Sequence, residues 1–402
     1  MTLAEELQWR GFINQTTFTD ITSINEPRTA YFSVDPSSDS ITIGNLAPAM
    51  MLNHFINHGY KIILLVGGAT GMIGDPDGRK QERDLRNSET VNNNVESLKK
   101  QLSKIFQGKN FELVNNYDWF KDINYIDFLH RIGKHVSMTQ MLDRDFVQQR
   151  IGEGGSGISY GEFSYSLIQG YDFLHLYRTK GATMQICGAD QWGNSVTGVS
   201  LIRKLEGGEA HVFSTPLIIN KQTGVKFGKS ESGAIWVSPE KTSPYQFYQF
   251  WLNTDDESAK DLIKIYTLLD RNTIEEAIEQ HNNNPGSRIL QKLLAYEVTK
   301  LIHGEERAEA VKNASLFLFS KDNFELTDDI TNILANELPN ISIGQSLVDS
   351  LVDSQIAKSK GEAKRLIANG SVSVNGIKVT EDITIDNISI IKKGKNSFAL
   401  AK

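Results

Sequence analysis

Hydrophobic and polar positions follow two alternating patterns in the first third of the 402-residue chain. A continuous apolar run over 61–68, Lys-Ile-Ile-Leu-Leu-Val-Gly-Gly, ends in glycines and predicts a buried parallel strand. Residues 46–58 before it have helical spacing, and Gly59 is typical of a helix end. The same patterns predict a helix over 98–106, a strand over 111–114 and a helix over 125–131. Strands that alternate with helices predict a doubly wound, Rossmann-like α/β domain with a parallel sheet.

The pattern changes further along the chain. Helical spacing dominates from 243 to 319, and residues 322–342 are acidic and polar, which is typical of a connector. Beyond it, a helix over 360–368 and strand-like sequence over 372–379 indicate a small α+β module. We therefore expect an α/β domain over 1–220, an α-helical domain over 221–320, a linker over 321–342 and a small domain over 343–402.

Composition and charge narrow the class of protein. No apolar run approaches the roughly 20 residues of a membrane helix, and the acidic stretch 1–10 lacks the apolar core of a signal peptide. The single cysteine, Cys187, excludes an internal disulfide and fits a reducing compartment, so a cytoplasmic protein is expected. Residues 343–402 carry nine Lys and Arg against six Asp and Glu, a net of +3, whereas the whole chain carries −7. A basic tail on an acidic body suggests local contact with nucleic acid.

A polar stripe on a predicted helix marks a candidate ligand pocket. Tyr165, Gln169 and Asp172 recur at i, i+4 and i+7, which places them on one helix face. Apolar residues surround the stripe, and the loop 188–194, Gly-Ala-Asp-Gln-Trp-Gly-Asn, follows it. A carboxylate, an amide and a phenol suit a zwitterion better than a phosphate, so an amino acid is the expected ligand.

Three other segments have the chemistry of a nucleotide site. Residues 35–46 join a strand to a helix through small residues, where phosphates can approach backbone amides, although a plain turn explains the same pattern. The glycine-rich stretch 67–78 lacks the Gly-Lys-Ser/Thr ending of a phosphate-cradling loop and the spacing of a calcium loop, but Asp75 within it is a candidate ligand carboxylate. Residues 223–233 place Lys226 and Lys229 among glycines, as suits a polyphosphate leaving group.

In combination these motifs resemble bacterial-type tyrosyl-tRNA synthetases, a family of class I aminoacyl-tRNA synthetases. The resemblance covers nearly the whole chain and is carried, in order, by residues 67–83, 164–173, 188–194, 226–230 and 241–251. The tail over 360–370 and 374–376 is similar to the small RNA-binding domain that this family shares with a ribosomal small-subunit protein. The first expected domain would then be catalytic, and the helical domain and the tail would bind tRNA.

The resemblance implies that Mg-ATP activates L-tyrosine to tyrosyl-adenylate, which is then transferred to the 3′ end of tRNA(Tyr). No protein-bound metal is expected, since the eight histidines show no metal-ligand spacing and His54 with His58 looks like a surface pair.

The implied tyrosine-binding residues are Tyr31 and Asp172 for the phenol, Asp75, Tyr165 and Gln169 for the ammonium, and Gln191 near the carboxylate. The implied ATP-binding residues are Asp35, Ser37, Gly44 and Asn45, with Asp190 on the ribose. The implied phosphate-binding and catalytic residues are Lys226, Lys229, Arg79 and Arg83, with Thr42 and Ser37.

The chain departs from the family at its first signature. The usual His-Ile/Leu-Gly-His/Asn is here Thr42-Ile-Gly-Asn45, and a threonine hydroxyl is shorter than an imidazole and always neutral. Either Thr42 still donates to the polyphosphate, or the chain is a catalytically impaired paralogue that acts as an RNA-binding protein. Retention of the tyrosine-binding residues and of both loop lysines favours the active enzyme. A synthetase for tryptophan is disfavoured, because Tyr31 with Asp172 suits a phenolic hydroxyl.

Two surfaces are expected to bind partners. The resemblance implies a basic RNA-binding face in the tail, formed by Lys358, Lys360, Lys364, Arg365 and Lys378. Residues 132–143 resemble the dimer-contact segment of the family. Exposed apolar side chains would form a symmetric homodimer interface there, the candidates being Val136, Met138, Met141 and Leu142. The alternative for this segment is an internal helix.

Overall fold

The computed structural model describes residues 1–76, 87–219, 227, 229–230, 233–319, 326–395 and 397–402. The chain forms two compact units, one of residues 1–242 with 254–294 and the other of residues 243–253 with 295–402. Across these described ranges, no helix combines the length and apolar character that crossing a bilayer requires.

A six-stranded sheet forms the centre of the first unit. Its strands are β1 (Gln15–Thr16), β2 (Thr29–Val34), β3 (Lys61–Val66), β4 (Phe111–Asn115), β5 (Ala182–Gly188) and β6 (His211–Thr215). The spatial order is β1-β6-β5-β2-β3-β4, and all neighbours are parallel except the edge strand β1. The chain builds outward from β2 in one direction and from β5 in the other. The carboxyl ends of these two strands therefore form a topological switch point, where open α/β sheets bind their ligands.

The helices of the first unit flank this sheet. They are α1 (Leu3–Arg10), α2 (Ile43–Asn57), α3 (Gly68–Ile73), α4 (Ser88–Ile105), α5 (Tyr117–Phe120), α6 (Tyr125–Arg131), α7 (Met138–Leu142), α8 (Asp145–Ile151), α9 (Tyr160–Lys180), α10 (Trp192–Glu206), α12 (Asp256–Tyr266) and α13 (Arg271–Asn283). A short hairpin of β7 (Lys229–Ser230) and β8 (Gly233–Ala234) follows the sheet in sequence. The predicted doubly wound α/β fold is confirmed, and all but the first residue of β3 is buried, as its apolar run indicates.

Helix α9, which carries the polar stripe, has clear signals at both ends. The Ser159 side chain accepts a hydrogen bond from the backbone N–H of Glu162, and Gly181 ends the helix in the left-handed conformation at φ 66°. Between these caps the helix packs along α10 and below β5. The stripe thus lies on a long, firmly bounded helix.

Helix α1 ties α2 to the end of α12. Glu6 lies 3.0 Å from Nδ1 of His54, and Arg10 donates to the carbonyl groups of Lys264 and Leu269, both at 2.7 Å. His54 is only 3 % exposed, so its expected place in a surface pair is wrong. It faces inward because α2, hydrophobic along most of its length, is buried on several sides.

The second unit is mainly helical and ends in a small sheet. Its helices are α11 (Pro244–Leu252), α14 (Ile289–His303, which begins in the first unit), α15 (Glu305–Phe319), α16 (Asp328–Glu337), α17 (Leu347–Asp353) and α18 (Lys360–Ala368). Its strands are β9 (Asn340–Ile341), β10 (Val372–Val374), β11 (Ile377–Val379), β12 (Ser389–Lys393) and β13 (Ser397–Ala401), in the order β11-β10-β12-β13-β9. The predicted helix over 360–368 is confirmed. The strand-like stretch 372–379 is a hairpin, because Asn375 (φ 48°) and Gly376 (φ 82°) form a tight turn.

Candidate functional site

One cavity lies at the switch point of the sheet, beyond the ends of β2 and β5. Eight of the residues that the sequence singles out line it together: Asp35, Ser37, Gly44, Asn45, Asp75, Tyr165, Asp190 and Gln191. They come from five separate stretches of the chain, and the fold brings them to one place. The cavity is lined by both carboxylates and amides, which suits a polar ligand with more than one charge.

Three more predicted residues are buried in the same unit. Tyr31, Gln169 and Asp172 are 0 %, 4 % and 2 % exposed. The Asp172 carboxylate accepts hydrogen bonds from Trp119 Nε1 (2.9 Å) and Asn116 Nδ2 (3.1 Å). Burial raises the pKa of Asp172 to about 8, even though these two donors act in the opposite direction. A carboxyl group held near its neutral form inside the protein is typical of a binding site.

Several buried polar atoms near this carboxyl group have no hydrogen-bond partner among the residues that the structure describes. They are Tyr31 Oη, Gln169 Oε1, and both amide atoms of Gln185. Gln185 lies on β5 directly opposite Tyr31 on β2, and it is completely buried. An unsatisfied buried polar group costs about 1–3 kcal/mol, so four such atoms together indicate that a polar ligand satisfies them.

A chain of hydrogen bonds joins the cavity to Asp172. Tyr165 donates from its hydroxyl to Asp35 Oδ2 (2.6 Å), and Thr70 donates to Asp35 Oδ1 (2.7 Å). Asn116 Nδ2 donates both to Thr70 Oγ1 (3.2 Å) and to Asp172. Burial, and then the charge of Asp35, raise the pKa of Tyr165. Tyr165 therefore stays a neutral phenol that is fixed in position by Asp35.

Glycine is required where this chain of hydrogen bonds passes closest to the backbone. A Cβ atom at position 67 would lie 2.1 Å from Thr70 Oγ1 and 2.4 Å from Asp35 Oδ1. Neither group can move without breaking the bond between them. The glycine-rich stretch after β3 thus allows Asp35 and Thr70 to meet, as well as closing the turn into α3.

The loop that follows β5 and leads into α10 forms another side of the cavity. Gln191 donates from Nε2 to Asp75 Oδ2, and Asn194 Nδ2 donates to Gln191 Oε1 (3.3 Å). Arg144 Nη1 in turn donates to Asn194 Oδ1 (2.6 Å). Asp75 and Gln191, predicted to hold opposite ends of an amino acid, are therefore direct neighbours.

The first turn of α2 forms the remaining side. Thr42 is the residue before the helix, and its hydroxyl donates to Asn45 Oδ1 (3.1 Å). This bond leaves the amide nitrogen of Asn45, an exposed residue, as the outward donor. The segment is anchored by Ile43 N–H, which donates to the carbonyl of Ile235 (3.1 Å), and by a β-bridge between Thr42 and Trp236.

Some predicted residues cannot be placed. Arg79, Arg83 and Lys226 lie outside the described residues, and of Lys229 only the backbone, in β7, is described. Their expected phosphate contacts remain predictions.

The predicted partner-binding residues lie elsewhere. Those of the tail are all exposed on the second unit, and the ammonium of Lys360 lies 2.6 Å from Asp349. In the segment 132–143, Met138 and Leu142 are exposed as expected. The expectation is wrong for Met141, which is 6 % exposed because it packs inward in α7. Val136 is half-buried and packs against the core of the first unit.

Four residues of the site were missed by the sequence prediction: Thr70, Asn116, Trp119 and Gln185. For Gln185 a signal existed, since one amide in the otherwise apolar β5 is unusual. Asn116 and Trp119 follow β4, and the end of a parallel strand is a place where site residues are expected. Nothing in the sequence connected them to Asp172, which lies 56 and 53 positions away.

Comparison with known proteins places this geometry in context. Residues 22–320 match the model of the class I tRNA synthetases (W and Y), and residues 329–401 match that of the SYY-like C-terminal domain of tyrosine–tRNA ligases. The chain is 43 % identical to the tyrosine–tRNA ligase of Bacteroides fragilis, with 100 % of this chain and 99 % of that protein covered. It is also 43 % identical to that of Flavobacterium psychrophilum, with 99 % and 96 % covered. A C-terminally truncated mitochondrial tyrosyl-tRNA synthetase of Aspergillus nidulans superimposes with a TM-score of 0.72 at 29 % identity, over 79 % of this chain and 94 % of that one.

Proposed function

The chain belongs to the class I tRNA synthetases of the tryptophan and tyrosine family, and on that premise we propose that it is a tyrosine–tRNA ligase. It would join L-tyrosine to ATP as tyrosyl-adenylate, release pyrophosphate, and pass the tyrosyl group to the 3′ end of tRNA(Tyr) with release of AMP. Magnesium would enter with ATP as part of the substrate. The buried group of Tyr31 and Asp172 carries this proposal, because it suits a phenol inside an otherwise apolar wall.

Tyr31 and Asp172 would select the side chain of the amino acid. The ligand phenol would donate to the Asp172 carboxylate, whose two oxygens each have a further lone pair beyond the bonds from Trp119 and Asn116. Tyr31 Oη, which has no hydrogen-bond partner within the described part of the chain, would bond the phenolic oxygen. Phenylalanine would leave both groups unpaired and would be rejected without an editing site, an effect for which tyrosyl-tRNA synthetases are the standard example.

Asp75, Tyr165 and Gln169 would hold the ammonium group, and Gln191 would lie near the carboxylate. Support comes from the acceptor character of this set: one carboxylate, one phenol oxygen and the unpaired Gln169 Oε1. The bond from Gln191 to Asp75 would keep the two ends of the zwitterion in a fixed relation.

ATP would occupy the outer part of the cavity, between the first turn of α2 and the loop after β5. Asp35 and Ser37 would line this side, Gly44 would allow close approach, and Asp190 would bind the ribose. The tyrosine carboxylate then attacks the α-phosphorus, and the bond to the pyrophosphate breaks. A carboxylate needs no base at neutral pH, so positioning and charge stabilisation suffice. Asn45, whose side chain Thr42 orients, would stabilise the departing pyrophosphate together with Lys226, Lys229, Arg79 and Arg83.

The remaining expectations concern partners and location. We propose that Lys358, Lys360, Lys364, Arg365 and Lys378 bind the phosphates of tRNA. We also propose that Met138 and Leu142, both exposed and apolar, belong to a homodimer interface. The enzyme would work in the cytoplasm, where the tRNAs that it charges are used.

Substitution of Tyr31 by Phe tests the assignment of the phenol pocket. Loss of the hydroxyl should lower kcat/KM for tyrosine in adenylate formation by about tenfold, the effect of one net hydrogen bond, and leave phenylalanine unchanged. Tyr60→Phe is the matched control, because Tyr60 is also buried but donates to the carbonyl of Ile24 (2.8 Å) away from the cavity. An equal loss of kcat/KM for tyrosine and for phenylalanine would show that Tyr31 does not bind the phenolic hydroxyl of the substrate.

A further inference from the structure

Ile43 is the second residue of the first signature, Thr42-Ile-Gly-Asn45. Its backbone N–H and its carbonyl oxygen both form hydrogen bonds with other segments of the chain. Its N–H donates to the carbonyl of Ile235. Ile235 comes just after residues 223–233, the stretch with Lys226 and Lys229 that is called the lysine loop below. The carbonyl oxygen of Ile43 accepts a hydrogen bond of 3.0 Å from the hydroxyl of Tyr266, the last residue of α12. The first turn of α2 is thus fixed from two directions.

Tyr266 also contacts the lysine loop itself. Its ring centroid lies 6.1 Å from that of Phe227, with the ring planes tilted by 40°. Phe227 stands between the two predicted phosphate-binding lysines, and its carbonyl oxygen lies 3.6 Å from where a Cβ atom on Gly44 would be. A single side chain therefore touches both segments that are expected to bind the phosphates of ATP.

Tyr266 does not reach the cavity. It is 0 % exposed, and it is absent from the residues that line the cavity, which include Gly44, Asn45 and Phe227. Any effect that it has on the substrate must pass through its neighbours.

The end of α12 is well suited to hold this tyrosine still. Arg10 donates to three carbonyl groups there, those of Lys264 (2.7 Å), Thr267 (3.2 Å) and Leu269 (2.7 Å). These carbonyls include ones that a helix end leaves without an internal partner. Arg10 is paired with Glu6, which also contacts His54 on α2. The contacts close a ring from α2 through α1 and α12 and back to α2.

We propose that Tyr266 is a positioning residue for adenylate formation. Its hydroxyl holds the first turn of α2, and its ring holds Phe227, so that the first turn of α2 and Phe227 keep one relative position while pyrophosphate leaves. Donors that stabilise developing charge lose much of their effect when displaced by about 1 Å, so such a support contributes to the rate. The role rests on the proposed function, because the phosphate contacts of both segments belong to that proposal.

Tyr266→Phe removes the hydroxyl and keeps the ring. Single-turnover formation of tyrosyl-adenylate should slow by about tenfold per active site, as expected for loss of one buried hydrogen bond. The Kd for tyrosine should stay within about twofold, since the phenol pocket is not involved. Tyr60→Phe, which loses the equivalent buried bond to a carbonyl, should leave the rate constant unchanged.

A second variant changes Phe227, the other partner of the ring contact with Tyr266. Phe227→Leu should also slow adenylate formation, and the double variant should lose less than the product of the two single effects, because both act on one contact. Counting active sites by titration separates a slower step from a smaller folded fraction.

Two results would overturn the positioning role: equal rate constants in Tyr266→Phe and the wild type, or a loss confined to the number of titratable sites. Pyrophosphate exchange by the wild type keeps the two claims apart. If the wild type shows none, the proposed function fails. If the wild type and Tyr266→Phe exchange equally, only the positioning role fails.

Discussion

At the scale of single residues, the proposed selection of tyrosine depends most on the carboxyl group of Asp172. It is buried, its pKa is raised to about 8, and it accepts hydrogen bonds from Trp119 and Asn116. The free enzyme at neutral pH therefore holds mostly the protonated form. A tyrosine phenol that donates to the carboxylate favours the ionised form, so binding should release a proton.

The affinity for tyrosine should accordingly rise with pH from 6 to 8 and level off above. Below the pKa of Asp172, the Kd for tyrosine should fall by at most about tenfold per pH unit, because binding requires the loss of one proton. Calorimetric titration at three pH values, in buffers of different ionisation enthalpy, measures both the Kd and the proton released. Trp119→Phe removes a donor that lowers the pKa of Asp172, and should move the profile to higher pH. A tyrosine Kd that is constant from pH 6 to 8 would contradict this interpretation.

Thr42 raises a different question at the same scale. Its hydroxyl donates to Asn45 and is too short to reach as far as the histidine that is usual in the family. Thr42→His should raise the rate of adenylate formation by up to about a hundredfold, the usual effect of one transition-state donor. Pre-steady-state kinetics with saturating ATP and tyrosine would measure it. An unchanged or lower rate would mean that Thr42 and Asn45 already meet the need.

At this scale, the sequence predicts the relative position of candidate residues best where one helix carries several of them. The spacing of Tyr165, Gln169 and Asp172 is local, so the sequence alone places them on one face. The partners of Asp172 come from the residue that follows β4 and from α5, and only the strand order of the sheet brings them near. Periodicity contains no information on that order, which is why Asn116 and Trp119 were missed.

At the scale of elements, α1 acts as a brace between α2 and α12. The hydrogen bond from His54, the electrostatic attraction of His54 and then that of Arg10 together outweigh burial and lower the pKa of Glu6 to about 2. Burial lowers the pKa of His54, whereas its hydrogen bond with Glu6 acts in the opposite direction. A depressed carboxyl pKa contributes stability above the unfolded pKa of about 4.5, which is lost as the pH falls toward about 2.

Glu6→Gln should lower the free energy of unfolding by roughly 2 kcal/mol at pH 7, because it leaves Arg10 without its partner. The difference from the wild type should shrink as the pH falls below 4.5. Urea denaturation at pH 7 and pH 3.5 provides both values. The control is Glu26→Gln, since Glu26 is exposed and its pair with Arg28 spans 3.5 Å. A pH-independent difference would show that packing, not charge, is responsible.

Elements were predictable where one hydrophobic pattern decides them. The run that became β3 is apolar for five positions, and α6 and α18 have the bounds that their spacing indicates. The stretch 372–379 was predicted as strand-like as a whole, but its alternation is interrupted at Asn375-Gly376, and the left-handed backbone of these two residues divides it into β10 and β11. The inward turn of Met141 depends on tertiary packing and lies beyond any local pattern.

At the scale of the whole molecule, the charge of the chain is divided between an acidic body and a basic tail. Lys364, Arg365 and Lys378 are exposed on the second unit, whereas Lys360 is paired with Asp349. Basic side chains that are free to meet phosphates contribute a salt-dependent attraction that does not depend on sequence.

Neutralising Lys364, Arg365 and Lys378 together to Gln should raise the KM for tRNA at least tenfold and reduce its salt dependence. Tyrosine activation, measured by pyrophosphate exchange without tRNA, should not change. Lys61→Gln serves as the control, because Lys61 is exposed on the first unit and is not among the residues proposed to bind tRNA, so the KM for tRNA should not change. Normal tRNA charging by the triple variant would remove the tail from the binding surface.

The most direct test of the account is tyrosine-dependent exchange of pyrophosphate into ATP by the wild-type chain, with phenylalanine and tryptophan in parallel. Exchange with tyrosine alone is the predicted result, and it would show that the first signature with Thr42 supports activation. Folded protein that binds tyrosine but exchanges with none of the three amino acids would contradict it and favour an RNA-binding paralogue.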